Sequence, residues 1–309
     1  MQNSSDSSAA SASACSLKTA LQQASKTGLP RLEAQMLLLH SLGRSSSDRA
    51  WLLAHDDDAL PLAASAAFNQ LTLRRLAGEP VAYITGRKAF YGLDLQVSPA
   101  VLDPRADTEI LVDWVLDCLA DGLTDCLTDC LTDCLIDPPR NSTPQVLDLG
   151  TGSGAIALAI KAHAPQAQVT AVDASAAALA VAAGNAQRLG LDVAFLQGSW
   201  LAPVAGQRFD VIVSNPPYIA PGDPHLAALQ YEPWAALVAQ DDGLSDIRHI
   251  IATAPLHLRP GACLLLEHGF DQGAAVAALL QASGFTGISQ RHDLAGHIRC
   301  TGGKMAPSA

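Results

Sequence analysis

Residues 146–155 read VLDLGTGSGA. A short apolar run carries one acid, glycine then occupies every second position, and a helix-forming stretch follows. This is the pattern of a buried strand that turns on glycines into a helix N-terminus, the ligand-binding corner of a parallel α/β sheet. Gly150 and Gly152 allow left-handed backbone or close approach of a ligand. Gly154 lets the next helix pack closely on the sheet. Thr151 and Ser153 fill the turn between them.

Downstream the same alternation continues. An apolar helix is predicted over residues 155–162, then a strand in QVTAVD (168–173) and an alanine-rich helix over 174–189. DVAFLQG (192–198) and FDVIVS (209–214) read as the third and fourth strands. ACLLLEH (262–268) reads as a later one, with a helix over 273–283. Strands alternating with helices predict a parallel sheet covered on both faces.

The glycine turn alone leaves the ligand open. Gly150, Gly152 and Ala155 satisfy the dinucleotide pattern G-x-G-x-x-A. Asp173, ending the second strand, can accept from ribose hydroxyls of either a dinucleotide or another adenosine ligand. A plain tight turn is a third reading. Two features favour S-adenosylmethionine over NAD. Asp148 stands two residues before the first glycine, a poor neighbour for pyrophosphate and a good one for a ligand with an ammonium group and no phosphate. The second feature is the end of the fourth strand, VSNPPYI (213–219).

Strands one and four flank the crevice of a doubly wound sheet, so Asn215 is expected beside the nucleoside. Its carbonyl accepts hydrogen bonds, Pro216 offers a carbonyl and no donor, and the rigid pair Pro216–Pro217 fixes the direction. Tyr218 supplies a flat face for stacking. The set suits a clamp for a conjugated –NH₂, whose delocalised lone pair makes it a poor nucleophile. Acceptors on its N–H bonds favour a tetrahedral nitrogen and stabilise the developing charge. Alignment does much of the remaining work, with no separate base required before transfer.

Upstream, residues 15–85 read as helices. Leu32, Met36, Leu39 and Leu42 share one predicted face, with Gly43 as a stop, and a second helix ends at Gly78. The run 81–97 is broken by Gly86 and Gly92 and suggests a hairpin. Residues 86–104 are read as a hairpin linker and 105–309 as the main α/β domain. Aspartate recurs every fourth residue from 113 to 137, around an LTDC repeat. On a helix that stripe drifts about 40° per repeat. Residues 117–137 are therefore read as a low-complexity insertion, partly helical and largely solvated. Cys126, Cys130 and Cys134 have no histidine near them, so no metal site is expected.

The formal charge is −11, and the chain stays acidic without the seven aspartates. A direct nucleic-acid substrate is disfavoured. Residues 1–14 are small and polar, expected to be a disordered tail and no secretory signal. No apolar run approaches the roughly 18 residues of a membrane span. Seven cysteines, several in the repeat, argue against a disulfide framework and for a reducing, cytoplasmic setting.

DLGTGSG with NPPY resembles S-adenosylmethionine-dependent amino-methyltransferases, a motif pair shared by adenine, guanine and glutamine N-methylating branches. Four longer stretches are similar to one branch, the peptide chain release factor glutamine methyltransferases (PrmC/HemK). They are residues 78–109, 214–229, 231–251 and LLLEHG at 264–269. The resemblance runs from about residue 15 to 304. It implies a Rossmann-like methyltransferase domain joined by a β-hairpin to a small N-terminal helical domain that helps bind a release factor. The implied substrate is the glutamine of the Gly-Gly-Gln motif in that factor, and the implied state is a monomer. By position, Gly150 to Gly154, Asp173 and Trp200 are implied to hold S-adenosylmethionine, with Trp200 beside the adenine. Asn215 is implied to meet both cofactor and substrate, and Pro216, Pro217 and Tyr218 to complete the substrate clamp. Asp103 and Ala106 depart from the family's usual apolar residue and second proline, which is expected to loosen that loop. The LTDC repeat is not a family feature. The rivals are a nucleic-acid base N-methyltransferase, a non-catalytic S-adenosylmethionine-binding protein and an NAD oxidoreductase.

Overall fold

The computed structural model describes residues 15–129 and 143–306, with residues 121–129 described by their backbone alone. The expected tail 1–14, the later part of the repeat, Cys130 and Cys134 lie outside the described residues, and the Cys126 side chain is not described. The chain divides into two units, one ending at Thr85 and the other beginning at Gly86.

The first unit is helical: α1 (Leu17–Lys26), α2 (Arg31–Ser41), α3 (Arg49–Ala54), α4 (Leu62–Leu76) and α5 (Val81–Thr85). Ser16 caps α1 by accepting from the Thr19 N–H at 3.3 Å. Prolines at 30 and 61 precede α2 and α4, where a missing N–H costs little. Gly43 ends α2 in left-handed conformation, and the Arg44 N–H folds back to the Leu39 carbonyl at 2.9 Å. The buried stripe of α2 differs from the expected one. Leu32 is 50% exposed, Met36 and Leu42 are half-buried, and Ala34, Leu37, Leu38 and Leu39 form the core. Because α1, α3, α4 and α5 all touch α2, it buries consecutive leucines and not a single narrow stripe.

In the second unit, β1 (Arg87–Phe90) and β2 (Leu93–Gln96) form the hairpin. It starts only at Gly86, because residues 81–85 continue as helix behind Pro80. Both turn residues, Tyr91 and Gly92, have positive φ (46° and 77°), as a two-residue hairpin loop demands. Tyr91 is held there by Glu109, which accepts from its N–H at 2.8 Å, and by Asp113, which accepts from its hydroxyl at 2.5 Å.

The main sheet is built from β3 (Gln145–Leu149), β4 (Gln168–Asp173), β5 (Ala194–Gln197), β6 (Phe209–Ser214), β7 (Leu258–Glu267), β8 (Phe285–His292) and β9 (Ile298–Met305). Its order is β5-β4-β3-β6-β7-β9-β8. The first five strands are parallel, as the alternation predicts, but β9 runs antiparallel to both neighbours. An all-parallel sheet is thus corrected to a mixed one. β9 escapes a periodicity reading because it carries Gly302 and Gly303, and a Cβ at 302 would sit 2.6 Å from the Leu265 side chain and 2.9 Å from the Leu264 carbonyl.

Helices α6 (Glu109–Asp129), α7 (Ala155–His163), α8 (Ala176–Leu189), α9 (Ser245–Thr253) and α10 (Gly273–Ala282) complete the unit. Val146, Val211, Val213 and Leu265 face a core shared with α6 and α7. Leu147, Leu149, Ile212 and Leu264 face another with α9 and α10. Both faces being buried explains why these strands read as unbroken apolar runs. Where the insertion is expected to begin, Asp117 pairs with Arg291 at 2.6 Å and Leu119 is buried. No helix among the described residues is long and apolar enough to cross a membrane.

Candidate active site

β3 and β4 lie side by side, and β6 flanks β3 on its other side, so the chain reverses direction across the sheet at β3. The crevice at the carboxyl ends of β3 and β6 is the expected ligand site. Leu149 is paired with Ser214, so Gly150 and Asn215 leave the sheet next to each other. The Ser214 hydroxyl donates to the Leu149 carbonyl at 2.7 Å and locks the two strand ends together.

The glycine turn is bonded inward. The N–H groups of Gly150 and Thr151 donate to the Val172 carbonyl, Gly152 to Asp173 Oδ2 at 2.8 Å, and Gly154 to the Thr151 carbonyl. A pyrophosphate needs such amides pointing at it, and here four are already committed. All three glycines have positive φ. A Cβ at Gly154 would come 3.2 Å from the Ala182 Cβ and 3.0 Å from Leu158, so this glycine serves close packing against α8 more than against the sheet. Ser153 is buried, and its carbonyl accepts from Asn185 Nδ2 at 3.0 Å.

Asp148 is fully buried. Thr151 donates to its Oδ2 at 2.6 Å, while Oδ1 has no protein partner. Burial pushes its carboxyl up to about 7, the Thr151 and Ala157 hydrogen bonds oppose this, and the nearby Asp173 charge adds to it. Asp173 accepts from the Gly152 and Ser175 N–H groups, and each of its oxygens keeps a second lone pair. Two carboxylates beside a turn with committed amides fit a nucleoside that carries positive charge and no phosphate. The residues therefore suit S-adenosylmethionine. The Trp200 ring lies over Gly150, 3.5 Å from where a Cβ would be, on a backbone with φ of 46°. Asp246 lies beside its indole.

On the other side of the crevice, Asn215 Nδ2 donates to Thr108 Oγ1 at 3.1 Å. Pro216 is buried, while Asn215, Pro217 and Tyr218 are half-buried. The segment after them is stapled to residues 237–239: Ile219 N–H donates to the Leu237 carbonyl, and Ala239 N–H to the Ile219 carbonyl. Gln272 Nε2 donates to the Tyr218 carbonyl at 3.0 Å, and Gly243 packs so tightly against that carbonyl that a Cβ would come within 2.4 Å of it. A cavity of about 380 Å³ opens here, lined by Asn215, Tyr218, Ile219, Arg105, Leu229 and Leu237 among others. Its walls are mostly apolar, with Asn215 as a polar group.

Several site residues carry roles that the sequence reading did not assign. Arg105 and Asp103 N–H both reach Glu232, and Lys88 lies 3.0 Å from Asp103. These four charges tie the 101–108 loop down, so the Asp103 departure anchors the loop and does not loosen it. Thr108 and Glu267 were also unassigned. Glu267 ends the apolar run of β7, the same strand-end signal that marks Asp173. His268 is a buried structural residue, bonded to the Gly269 carbonyl and the Thr301 hydroxyl, and burial lowers its pKa. Arg299 pairs with Asp293 at 2.9 Å.

Residues 120–231 match the Methyltransferase small domain family model, and residues 16–86 match the PrmC N-terminal domain. With the sheet order and the cation-suited turn, these define an S-adenosylmethionine-dependent methyltransferase. Among solved structures, the catalytic domain of hMettl16 in complex with the MAT2A 3′UTR hairpin 1 superposes with a TM-score of 0.53 at 12% identity, covering 79% of this chain and 83% of that one, a likeness of fold alone. The release factor glutamine methyltransferase of Bordetella pertussis is 50% identical over 90% of this chain and 96% of its own. Those of Xylella fastidiosa (strain Temecula1) and Vibrio cholerae are 47% and 44% identical, over 92% and 93% of this chain and 97% and 95% of theirs. The chain belongs to the release factor glutamine methyltransferase family.

Proposed function

We propose that this enzyme methylates the side-chain amide nitrogen of the glutamine in the Gly-Gly-Gln motif of peptide chain release factors, using S-adenosylmethionine. The observation that carries the reading is Asn215. Its amide nitrogen is engaged by Thr108, so its carbonyl oxygen is the acceptor left at the mouth of an apolar cavity beside the glycine turn. When bound, S-adenosylmethionine supplies an electrophilic methyl on a positively charged sulfur. Asn215 Oδ1 and the Pro216 carbonyl accept the two amide N–H bonds, which frees the nitrogen lone pair to face that methyl. Tyr218 and Pro217 hold the amide plane. As the N–C bond forms the C–S bond breaks, and the nitrogen then releases one proton to water.

Gly150 to Gly154, Asp148, Asp173 and Trp200 hold the nucleoside in this reading, and the 15–85 helical unit contributes to recognition of the release factor as a monomeric enzyme. The acidic chain favours a protein over a nucleic-acid acceptor. The test is mass spectrometry of a release factor after incubation with enzyme and cofactor, with total RNA and DNA as parallel acceptors. One added methyl on the motif glutamine is expected. Methyl incorporation into nucleic acid and none into the factor would overturn the reading.

A further inference from the structure

β6 and β7 are parallel neighbours, with Ser214 opposite Leu266. The next residue on each strand is Asn215 on one and Glu267 on the other, so both stand at the same end of the sheet. Thr108 comes to this point from the short turn of helix that precedes α6. Thr108 and Glu267 are both more than nine-tenths buried. We infer that Glu267 and Thr108 form a positioning relay that fixes which way the Asn215 amide points; this rests on the proposed role of Asn215 as the acceptor for the substrate amide.

Polarity sets the direction of the relay. Thr108 and Asn215 stand close enough to Glu267 to favour its ionised form against burial. An ionised carboxylate only accepts. The Thr108 hydroxyl accepts from Asn215 Nδ2 at 3.1 Å, which leaves its one proton for Glu267. With its Nδ2 turned toward Thr108, Asn215 holds Oδ1 facing the opposite way. A flipped Asn215 would set its carbonyl against two oxygens. An acid needed only for packing would be fully partnered or replaceable by an amide. Glu267 instead keeps Oε2 buried without a hydrogen-bond partner.

The charged and titratable groups facing Glu267 are Asp107, Arg299, Tyr218 and Cys300. Burial pushes its carboxyl up to about 7, Asp107 adds to this, and Thr108, Arg299 and Asn215 oppose it. Below that pH the protonated acid becomes a donor, and the polarity that orients Asn215 is lost.

The test uses the full chain and a release factor substrate, with Glu267→Gln, Thr108→Val and Thr108→Ser. Glu267→Gln and Thr108→Val are expected to lower kcat by about 10- to 100-fold, the scale of one misdirected hydrogen bond in a transition state. KM for the release factor and affinity for S-adenosylhomocysteine should stay within about twofold, and Thr108→Ser should restore most of kcat. Wild-type kcat should fall on an acid limb near pH 7 that Glu267→Gln lacks. If Glu267→Gln fails to fold by thermal denaturation, the Thr108 pair carries the test. A kcat for Thr108→Val within twofold of wild type would overturn the relay, as would an acid limb unchanged in a folded Glu267→Gln. An inactive wild type would instead sink the proposed substrate, so the two failures are told apart.

Discussion

Replacing Asn215 by Ala removes the acceptor while leaving a half-buried site that can relax around the gap. Steady-state kinetics should show kcat down by about 10²- to 10³-fold, the cost of one positioned transition-state partner, with an unchanged circular dichroism spectrum. Asp148 should behave differently. Its folded pKa, about 7, lies above the ordinary 3.8. Its contribution is therefore fully present below about pH 4 and is lost as pH rises through 7, at about 1.4 kcal/mol per unit. Asp148→Asn should flatten the fall in Tm between pH 5 and 8 and weaken cofactor binding. An Asp148→Asn protein whose Tm tracks wild type across that range would contradict the assignment. Asp148, Asp173 and Asn215 were legible in the sequence because each ends, or nearly ends, a predicted strand at the ligand edge. Glu267 sits in an equivalent place, but its proposed partner Thr108 lies far away in the chain, and no local pattern joins them.

Among the elements, the five parallel strands could be read from apolar runs punctuated by glycine, since both faces are buried. The β8–β9 hairpin could not. The buried centre of β9 is Cys300, Thr301, Gly302 and Gly303, half of it glycine with no hydropathy to show, and β8 lies at the edge of the sheet. Gly302→Val should destabilise the fold by about 3 kcal/mol, because the added atoms overlap β7 and packed cores resist overfilling. Urea denaturation measures this. The first two aspartates of the α6 stripe, both exposed, have partners in Tyr91 and Arg291, contacts set by tertiary structure alone. The described buried contacts of α6 end at Leu119. Removing residues 121–136, expected from the repeat to be a low-complexity insertion, should leave methyl transfer within about twofold of the parent chain, read in the same kinetic assay.

For the whole molecule, the division at Thr85 and Gly86 separates the core of the helical unit from the two cores of the sheet unit, with no residue in common. A chain of residues 86–309 should thus bind S-adenosylmethionine with near-parental affinity by calorimetry. Its KM for a release factor should rise at least tenfold, and an unchanged KM would remove the helical unit from substrate recognition. The mixed sheet has a further consequence for biosynthesis. β8 is made before β9, yet among the described residues its only strand neighbour is β9, which also covers the open side of β7. On the ribosome the parallel half can assemble while β8 waits unpaired and the flank of β7 stays bare. Closure of the catalytic unit is thereby deferred until β9 is translated, and a nascent chain stalled before residue 298 presents a sticky margin for chaperones to guard.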